Sequence, residues 1–171
     1  WISCAHGVGH GLAKLYTLED VNSAMKVCGN HKDHDFVYAC ATGVIMELGE
    51  DERFQLDSPE PCDTIEQFPA ACYRFKYSYF HNFEGEYPCA DLQDEYHTRA
   101  CLFGEGYTSK QQNVCWKYHP NHNPELLSNE KLAWTHFISC MDGIWQTNSH
   151  MSEDACEIFE ETPAHSACLF R

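Results

Sequence analysis

The sequence predicts an all-α protein: an array of about five disulfide-stapled two-helix repeat units, similar in architecture to an α-solenoid. Three observations predict this fold. Eleven of the 171 residues are cysteine, and six of these cysteines stand in one recurring motif. The motif returns at the interval of a helical hairpin. Several of the segments between the motifs carry apolar residues at the spacing of one helix face.

The recurring motif consists of a small residue, a cysteine and, three positions after the cysteine, a glycine. Its cysteines are Cys4, Cys40, Cys72, Cys101, Cys140 and Cys168, and the glycine is missing after the third and the sixth. The motif thus returns at the length of a two-helix unit. Units begin near residues 1, 37, 69, 98 and 137, with the start of a sixth near 165. We expect a single repeat domain, 1–171, cut from a longer array. The glycines are expected to let neighbouring helices approach closely.

A second set of cysteines, at residues 28, 62, 89, 115 and 156, lies between the motifs. The gap from each of these to the next motif cysteine is nearly constant, except for the long one after Cys115, and it is steadier than the gap within a unit. This spacing favours the bonds Cys28–Cys40, Cys62–Cys72, Cys89–Cys101, Cys115–Cys140 and Cys156–Cys168, and leaves Cys4 over. Pairing within units would instead leave Cys168 unpaired. Because the number of cysteines is odd, each scheme leaves one cysteine over, so the count alone does not decide between them. So many disulfides indicate a secreted protein, extracellular or periplasmic.

Three helices are predicted from their own apolar patterns. Residues 18–27 carry apolar side chains every three or four positions, with Thr17 as a predicted N-cap and Gly29 as a stop signal. Residues 36–48 and 128–145 show the same periodicity. A lone unit of about 30 residues buries too little apolar surface to fold, so stacking and disulfides are both expected to contribute.

A run of aromatic residues follows Cys72. Its first rings alternate with other residues as in a strand, but the repeat frame puts the segment in a helix. One helix face does not bury so many rings, so we expect an exposed patch for a protein partner, with the core of the middle unit as the alternative. The predicted binding surface consists of Tyr73, Phe75, Tyr77, Tyr79, Phe80 and Phe83.

Charge and missing motifs exclude several function classes. With 11 Lys and Arg against 26 Asp and Glu, the net charge is −15, which argues against a nucleic-acid partner. The longest near-apolar run, 36–46, is too short to span a membrane. No P-loop, dinucleotide-binding loop or G-x-S-x-G elbow occurs, so the sequence gives no catalytic residues and favours a non-catalytic protein.

Eleven histidines make pH-dependent assembly a further hypothesis.

The sequence Cys4-Ala-His6-Gly-Val-Gly-His10 contains the sharpest candidate site. Two histidines four apart on a helix project from one face, and their imidazoles can hold one transition-metal ion. Only the first unit has histidines at these positions of the motif. The alternative is a polar helix face with packing glycines. His31 and His34, in a turn with two aspartates, form a second candidate pair of ligands.

Two function classes follow from these patterns. The first is a secreted, non-catalytic helical repeat module that binds another extracellular protein or a second copy of itself. The second is a transition-metal-binding protein or metalloenzyme, with one Cu, Zn or Fe ion centred on His6 and His10.

Overall fold

The computed structural model describes residues 2–49, 51, 58–79, 88–109, 111–147 and 153–169. All regular secondary structure in these ranges is helical. The α-helices are α1 (Ile2–Leu15), α2 (Val21–Gly29), α3 (His34–Leu48), α4 (Pro69–Tyr79), α5 (Glu95–Ser109), α6 (Glu130–Thr147) and α7 (Pro163–Leu169). Short 3-10 segments lie at Leu18–Asp20, Cys62–Thr64, Pro88–Asp91, Gln112–Val114, Trp116–Tyr118, Pro124–Asn129 and Glu153–Phe159.

The sequence explains several of the helix boundaries. The helix predicted over 18–27 is a 3-10 turn that continues into α2, and its apolar face is buried. Thr17 precedes the turn but makes no capping hydrogen bond with its side chain, so that prediction is wrong. The Asp33 side chain caps α3 by accepting from the backbone N–H groups of Asp35 and Phe36. The alternating aromatic segment is helical, in α4, as the repeat frame predicts.

Five disulfides tie the helices to the segments that precede them. They join Cys28 to Cys40, Cys62 to Cys72, Cys89 to Cys101, Cys115 to Cys140 and Cys156 to Cys168. These are the pairs that the steadier spacing favours. Cys4 is free and exposed. All ten bonded cysteines are buried in the core, so each bond fixes a helix to the interior rather than to a surface loop.

The long helices pack in chain order, α1 on α3, α3 on α4, α4 on α5 and α5 on α6. The two shorter helices join this series, since α2 packs on α3 and α1, and α7 packs on α6. The α1–α3 crossing is so close that a side chain on either of two glycines would strike the facing backbone. A Cβ on Gly9 would lie 2.1 Å from the Cys40 carbonyl oxygen, and a Cβ on Gly43 would lie 2.1 Å from the His6 carbonyl oxygen. Glycine is therefore required at both positions.

The α5–α6 crossing is built from the same positions of the motif. A Cβ on Gly106 would lie 1.9 Å from the Cys140 carbonyl oxygen, and a Cβ on Gly143 would lie 2.1 Å from the Phe103 carbonyl oxygen. Two glycines that lie three positions after a motif cysteine thus contact an earlier helix: Gly43 of α3 contacts α1, and Gly143 of α6 contacts α5. Gly7, at this position in α1, has nothing within 4 Å, so it makes no such contact within the described structure.

None of the described helices combines the length and the apolar character that crossing a membrane requires. The core instead runs through the disulfides and a set of large buried side chains. Tyr73, Tyr77, Phe137 and Phe159 are among the largest of these.

Candidate functional site

The candidate site lies on α1, where His6 and His10 face each other one helical turn apart. Their ring centroids are 4.8 Å apart and the ring planes are nearly perpendicular. The two Nε2 atoms approach to 3.2 Å. The close α1–α3 crossing brings α3 against both rings, so three α3 residues, Ala39, Thr42 and Glu47, become their hydrogen-bond partners.

The contacts of His6 fix which of its ring nitrogens carries a proton. Its Nδ1 lies 3.2 Å from the Thr42 hydroxyl and 3.3 Å from the Ala39 carbonyl oxygen. The Thr42 hydroxyl donates its own proton to the Ala39 carbonyl at 2.8 Å, so the hydroxyl accepts from His6. Both partners are then acceptors, and Nδ1 of His6 is the donor. In neutral His6 the Nε2 atom therefore presents a lone pair.

The contact between His10 and Glu47 has the same consequence for His10. Its Nδ1 donates to the Glu47 carboxylate at 2.6 Å. This hydrogen bond holds the pKa of Glu47 below its usual value, and Lys14, 3.8 Å from the other carboxylate oxygen, acts in the same direction. The carboxylate is therefore ionised at neutral pH and binds the Nδ1 proton. Neutral His10 then also presents its lone pair at Nε2.

The two Nε2 atoms are 3.2 Å apart, which is hydrogen-bond distance when one of them carries a proton, and a metal ion can take the place of that proton. Two nitrogens that each bind one ion at about 2.0–2.1 Å are about 2.8–3.4 Å apart for angles between square and tetrahedral. The observed separation lies inside this range. Carboxylate and carbonyl acceptors on the distal Nδ1–H groups are also the usual outer shell of metal-bound histidines. The pair thus has the tautomers, the spacing and the outer shell of a metal-ligand pair.

The protein supplies two ligands to such an ion. In the part of the chain that the structure describes, no group of three or more His, Cys, Asp or Glu side chains is arranged to hold a metal ion. An ion on His6 and His10 would therefore have one protein ligand fewer than a catalytic zinc site and two fewer than a structural one, and water or an external ligand would have to complete its coordination. Cys4 is exposed on the same helix.

The structure gives the other predicted metal ligands different roles. The Nδ1 atom of His31 accepts the Asp33 backbone N–H, and the His31 ring stacks on Phe36 at a centroid distance of 4.0 Å. His34 is the exposed first residue of α3. That His31 and His34 hold an ion together stays a prediction.

The aromatic run is divided between the core and the surface. Tyr73 and Tyr77 are fully buried with their ring centroids 6.0 Å apart, which corrects the expectation that they form an exposed patch. The reason is that α4 lies between α3 and α5, which cover both of its sides. Phe75 is partly buried. The Tyr79 side chain and the whole of Phe80 and Phe83 lie outside the described residues.

Sequence reasoning missed the three α3 residues that orient the histidines. A signal for Thr42 existed, because it occupies the position of the motif in α3 that His6 occupies in α1. Glu47 carries no such signal, since it is one of several acidic residues near the end of α3.

Comparison with known proteins gives no relative to guide the assignment. No protein-family model matches the chain, and no curated protein or solved structure is significantly similar to it. The function is therefore argued from the geometry alone.

Proposed function

We propose that the chain is an extracellular transition-metal-binding protein, with Nε2 of His6 and Nε2 of His10 as its two ligands. The observation that carries this proposal is the 3.2 Å separation of two Nε2 atoms whose distal Nδ1–H groups both donate to acceptors on α3. The five disulfides support an oxidising compartment. The absence of catalytic signatures from the sequence favours binding over catalysis.

The ligand chemistry narrows the choice of metal. Neutral imidazole suits Cu(II), Zn(II), Fe and Ni(II), and among divalent ions Cu(II) binds nitrogen ligands most tightly. We therefore propose Cu(II) or Zn(II), with Cu(II) the tighter of the two. Without metal, the two Nε2 atoms lie within hydrogen-bond distance of each other, and the metal ion would take the place of the proton between them. Metal ions and protons compete for the same nitrogens, so metal affinity is expected to fall as the pH is lowered.

A competition titration tests this proposal. Protein freed of metal by a chelator is titrated with Cu(II) and, separately, Zn(II) against a chromophoric chelator of known affinity. The wild type is expected to bind one ion per chain. His6→Ala and His10→Ala are each expected to weaken binding by roughly a hundredfold or more, because outer-shell partners alone are worth about 10–100-fold.

The double variant His31→Ala, His34→Ala is the control, since it removes the other two histidines that the sequence offers as metal ligands and leaves α1 unchanged. It is expected to bind metal like the wild type. Equal loss in this control and in the α1 variants, or a wild type that binds no ion at micromolar concentrations, would contradict the proposal. Circular dichroism of every variant separates loss of the ligand from loss of the fold.

We also propose that the scaffold is an array of disulfide-stapled two-helix repeat units. The support is the equivalence of the α1–α3 and α5–α6 crossings, in which glycines at the same two positions of the motif meet the same carbonyl positions of the facing helix. The order of packing supports it too, because each long helix contacts the next one along the chain. Small-angle scattering tests this: an array predicts an elongated particle, and a spherical one would contradict it.

A second candidate function, association with another protein or a second copy, is favoured by the outer face of α1. Gly43 in α3 and Gly143 in α6 each pack against a preceding helix. Gly7, at the same position of the motif in α1, has nothing within 4 Å. Val8 and Leu15 on the same helix are 42% and 78% exposed. Sedimentation velocity tests self-association: Leu15→Glu is expected to weaken it, while Leu127→Glu, at a residue 55% exposed elsewhere, is the control. A monomeric wild type at high concentration would rule out a second copy as the partner.

A further inference from the structure

A groove of about 550 Å³ runs beside the histidine pair, between α1, α3 and α4. This volume is in the range of sites for small organic ligands. Ile2 and Phe75 give it apolar walls, and His6, Tyr38 and Arg74 give it polar groups. The groove therefore joins an apolar surface to a small number of hydrogen-bonding groups, as ligand sites usually do.

Arg74 is the unusual residue of this groove. Its guanidinium lies over the Tyr107 ring, 4.0 Å from the centroid, and over the Phe75 ring at 5.2 Å. It also donates a hydrogen bond to the Tyr38 hydroxyl. Residues from α3, α4 and α5 thus hold the guanidinium in one place, which lowers the entropy lost when it binds a ligand.

The charge of Arg74 has no internal counter-ion among the described residues. Six ion pairs occur there, and none of them includes Arg74. This is unexpected in a chain with 26 acidic residues, because partly buried charges are normally paired. Of its five N–H donors, one binds the Tyr38 hydroxyl and no other described residue accepts from the rest. Asp35 also lines the groove, but it is exposed at the start of α3, where the high dielectric constant of water weakens the interaction of its charge with Arg74 and with a ligand.

From these contacts we infer that the groove binds a small organic acid, with its carboxylate on the Arg74 guanidinium and its apolar body against Ile2 and Phe75. The planar guanidinium fork matches a carboxylate with two parallel hydrogen bonds. The unfilled donors, the fixed position of the guanidinium and the apolar walls each point to the same ligand chemistry. This site does not depend on a metal ion at His6 and His10.

Matched probes test the inference on chelator-treated full-length protein. The probes are 3-phenylpropionate and its neutral analogue 3-phenylpropionamide, and binding is followed by chemical-shift changes in two-dimensional NMR. The acid is expected to bind in the groove at least tenfold more tightly than the amide. Equal affinities, or no binding of the acid at 10 mM, would overturn the inference without requiring any variant.

Two variants assign the effect to Arg74. Arg74→Gln is expected to reduce acid binding at least tenfold and to leave amide binding unchanged. Arg99→Gln, at the margin of a smaller cavity of about 220 Å³ between α4, α5 and α6, is the control and is expected to bind the acid like the wild type. If Arg74→Gln unfolds, Arg74→Lys keeps the charge without the fork and is expected to bind at an intermediate affinity. The assignment to Arg74 would be overturned if Arg99→Gln lost as much affinity for the acid as Arg74→Gln, or if Arg74→Gln bound the acid as tightly as the wild type.

The same samples keep this inference separate from the proposed function. The acid is titrated without metal, and metal is titrated without the acid. Failure of metal binding leaves the result for the acid intact, and failure of acid binding leaves the histidine site intact.

Discussion

Replacing Gly143 with alanine is expected to destabilise the protein, because the added methyl group has no space at the α5–α6 crossing. A Cβ on Gly143 would lie 2.1 Å from the Phe103 carbonyl oxygen and 2.5 Å from the Tyr107 backbone nitrogen. Ordinary contact begins at 3.4 Å, so the two backbones must move apart to make room for the methyl group. Neither atom belongs to a side chain that could rotate away.

The size of the effect follows from two opposing contributions. Overpacking of a tight interior costs about 1–3 kcal/mol, and the upper end applies here because backbone must move against backbone. Alanine in place of glycine within a helix returns about 1 kcal/mol. Gly143→Ala is therefore expected to lower the free energy of unfolding by about 2 kcal/mol, which corresponds to a fall in Tm of roughly 4–8 °C for a chain of this size.

Gly7 provides the matched control. It is exposed, it occupies the same position of the motif in α1, and a Cβ there would meet nothing within 4 Å. Gly7→Ala gains the helix propensity without the clash, so its Tm is expected to rise by roughly 2–4 °C.

Thermal unfolding followed by circular dichroism, with the disulfides intact and at one pH, measures both variants. A Gly143→Ala protein as stable as Gly7→Ala would refute the reasoning, because it would mean that the two helices do not cross as closely as described. Equal destabilisation of both variants would refute it as well, since it would show that the motif glycine of α1 is also covered.

Three further predictions concern the site, one helix start and the disulfides. Glu47→Gln removes the charge that binds the Nδ1 proton of His10 and is expected to weaken Cu(II) binding by about 10–100-fold in the competition titration. Backbone and side-chain hydrogen bonds from His97 hold the pKa of Asp94 below its ordinary 3.8. The ionised carboxylate therefore stabilises the folded protein above pH 3.8, and this contribution to stability is lost as the pH falls through the lowered pKa of the folded state. Asp94→Asn is therefore expected to be less stable than the wild type in urea unfolding at pH 7, with the difference vanishing in acid. Replacing Cys115 and Cys140, whose bond spans 25 residues, with serine is expected to lower the free energy of unfolding in urea by about 3.5 kcal/mol. The same replacement of Cys28 and Cys40, whose bond spans 12 residues, is expected to lower it by about 3 kcal/mol, because a shorter loop restricts the unfolded chain less.

The disulfide pairs and the helical class were accessible from the sequence because both depend on local spacing. Four of the five second cysteines lie 10 or 12 residues before the next motif cysteine, and a short chain segment restricts which partners a cysteine can reach. The pairing of His6 with His10 was accessible for the same reason, since four residues make one helical turn.

The hydrogen-bond partners of the histidines and the burial of the aromatic residues depend on how segments distant in the sequence pack, and residue spacing does not determine that packing. Glu47 lies 37 residues from His10, and its contact exists only because Gly9 and Gly43 allow α1 and α3 to approach closely. The sequence offered packing glycines on α1 as one alternative but did not indicate which of them contacts α3, and in the structure Gly9 makes that contact. Likewise, Tyr73 and Tyr77 were expected at the surface because the number of rings exceeds one helix face, whereas α4 is covered on two sides.

The most direct test of the metal site is the position of the ion itself. Crystals of the metal-loaded protein, measured at the absorption edge of copper or zinc, give an anomalous difference map. A single strong peak about 2.0–2.1 Å from both Nε2 of His6 and Nε2 of His10 is the predicted result. A map with its main peak at any other residues, or with no peak from protein shown to be fully loaded, would contradict the assignment.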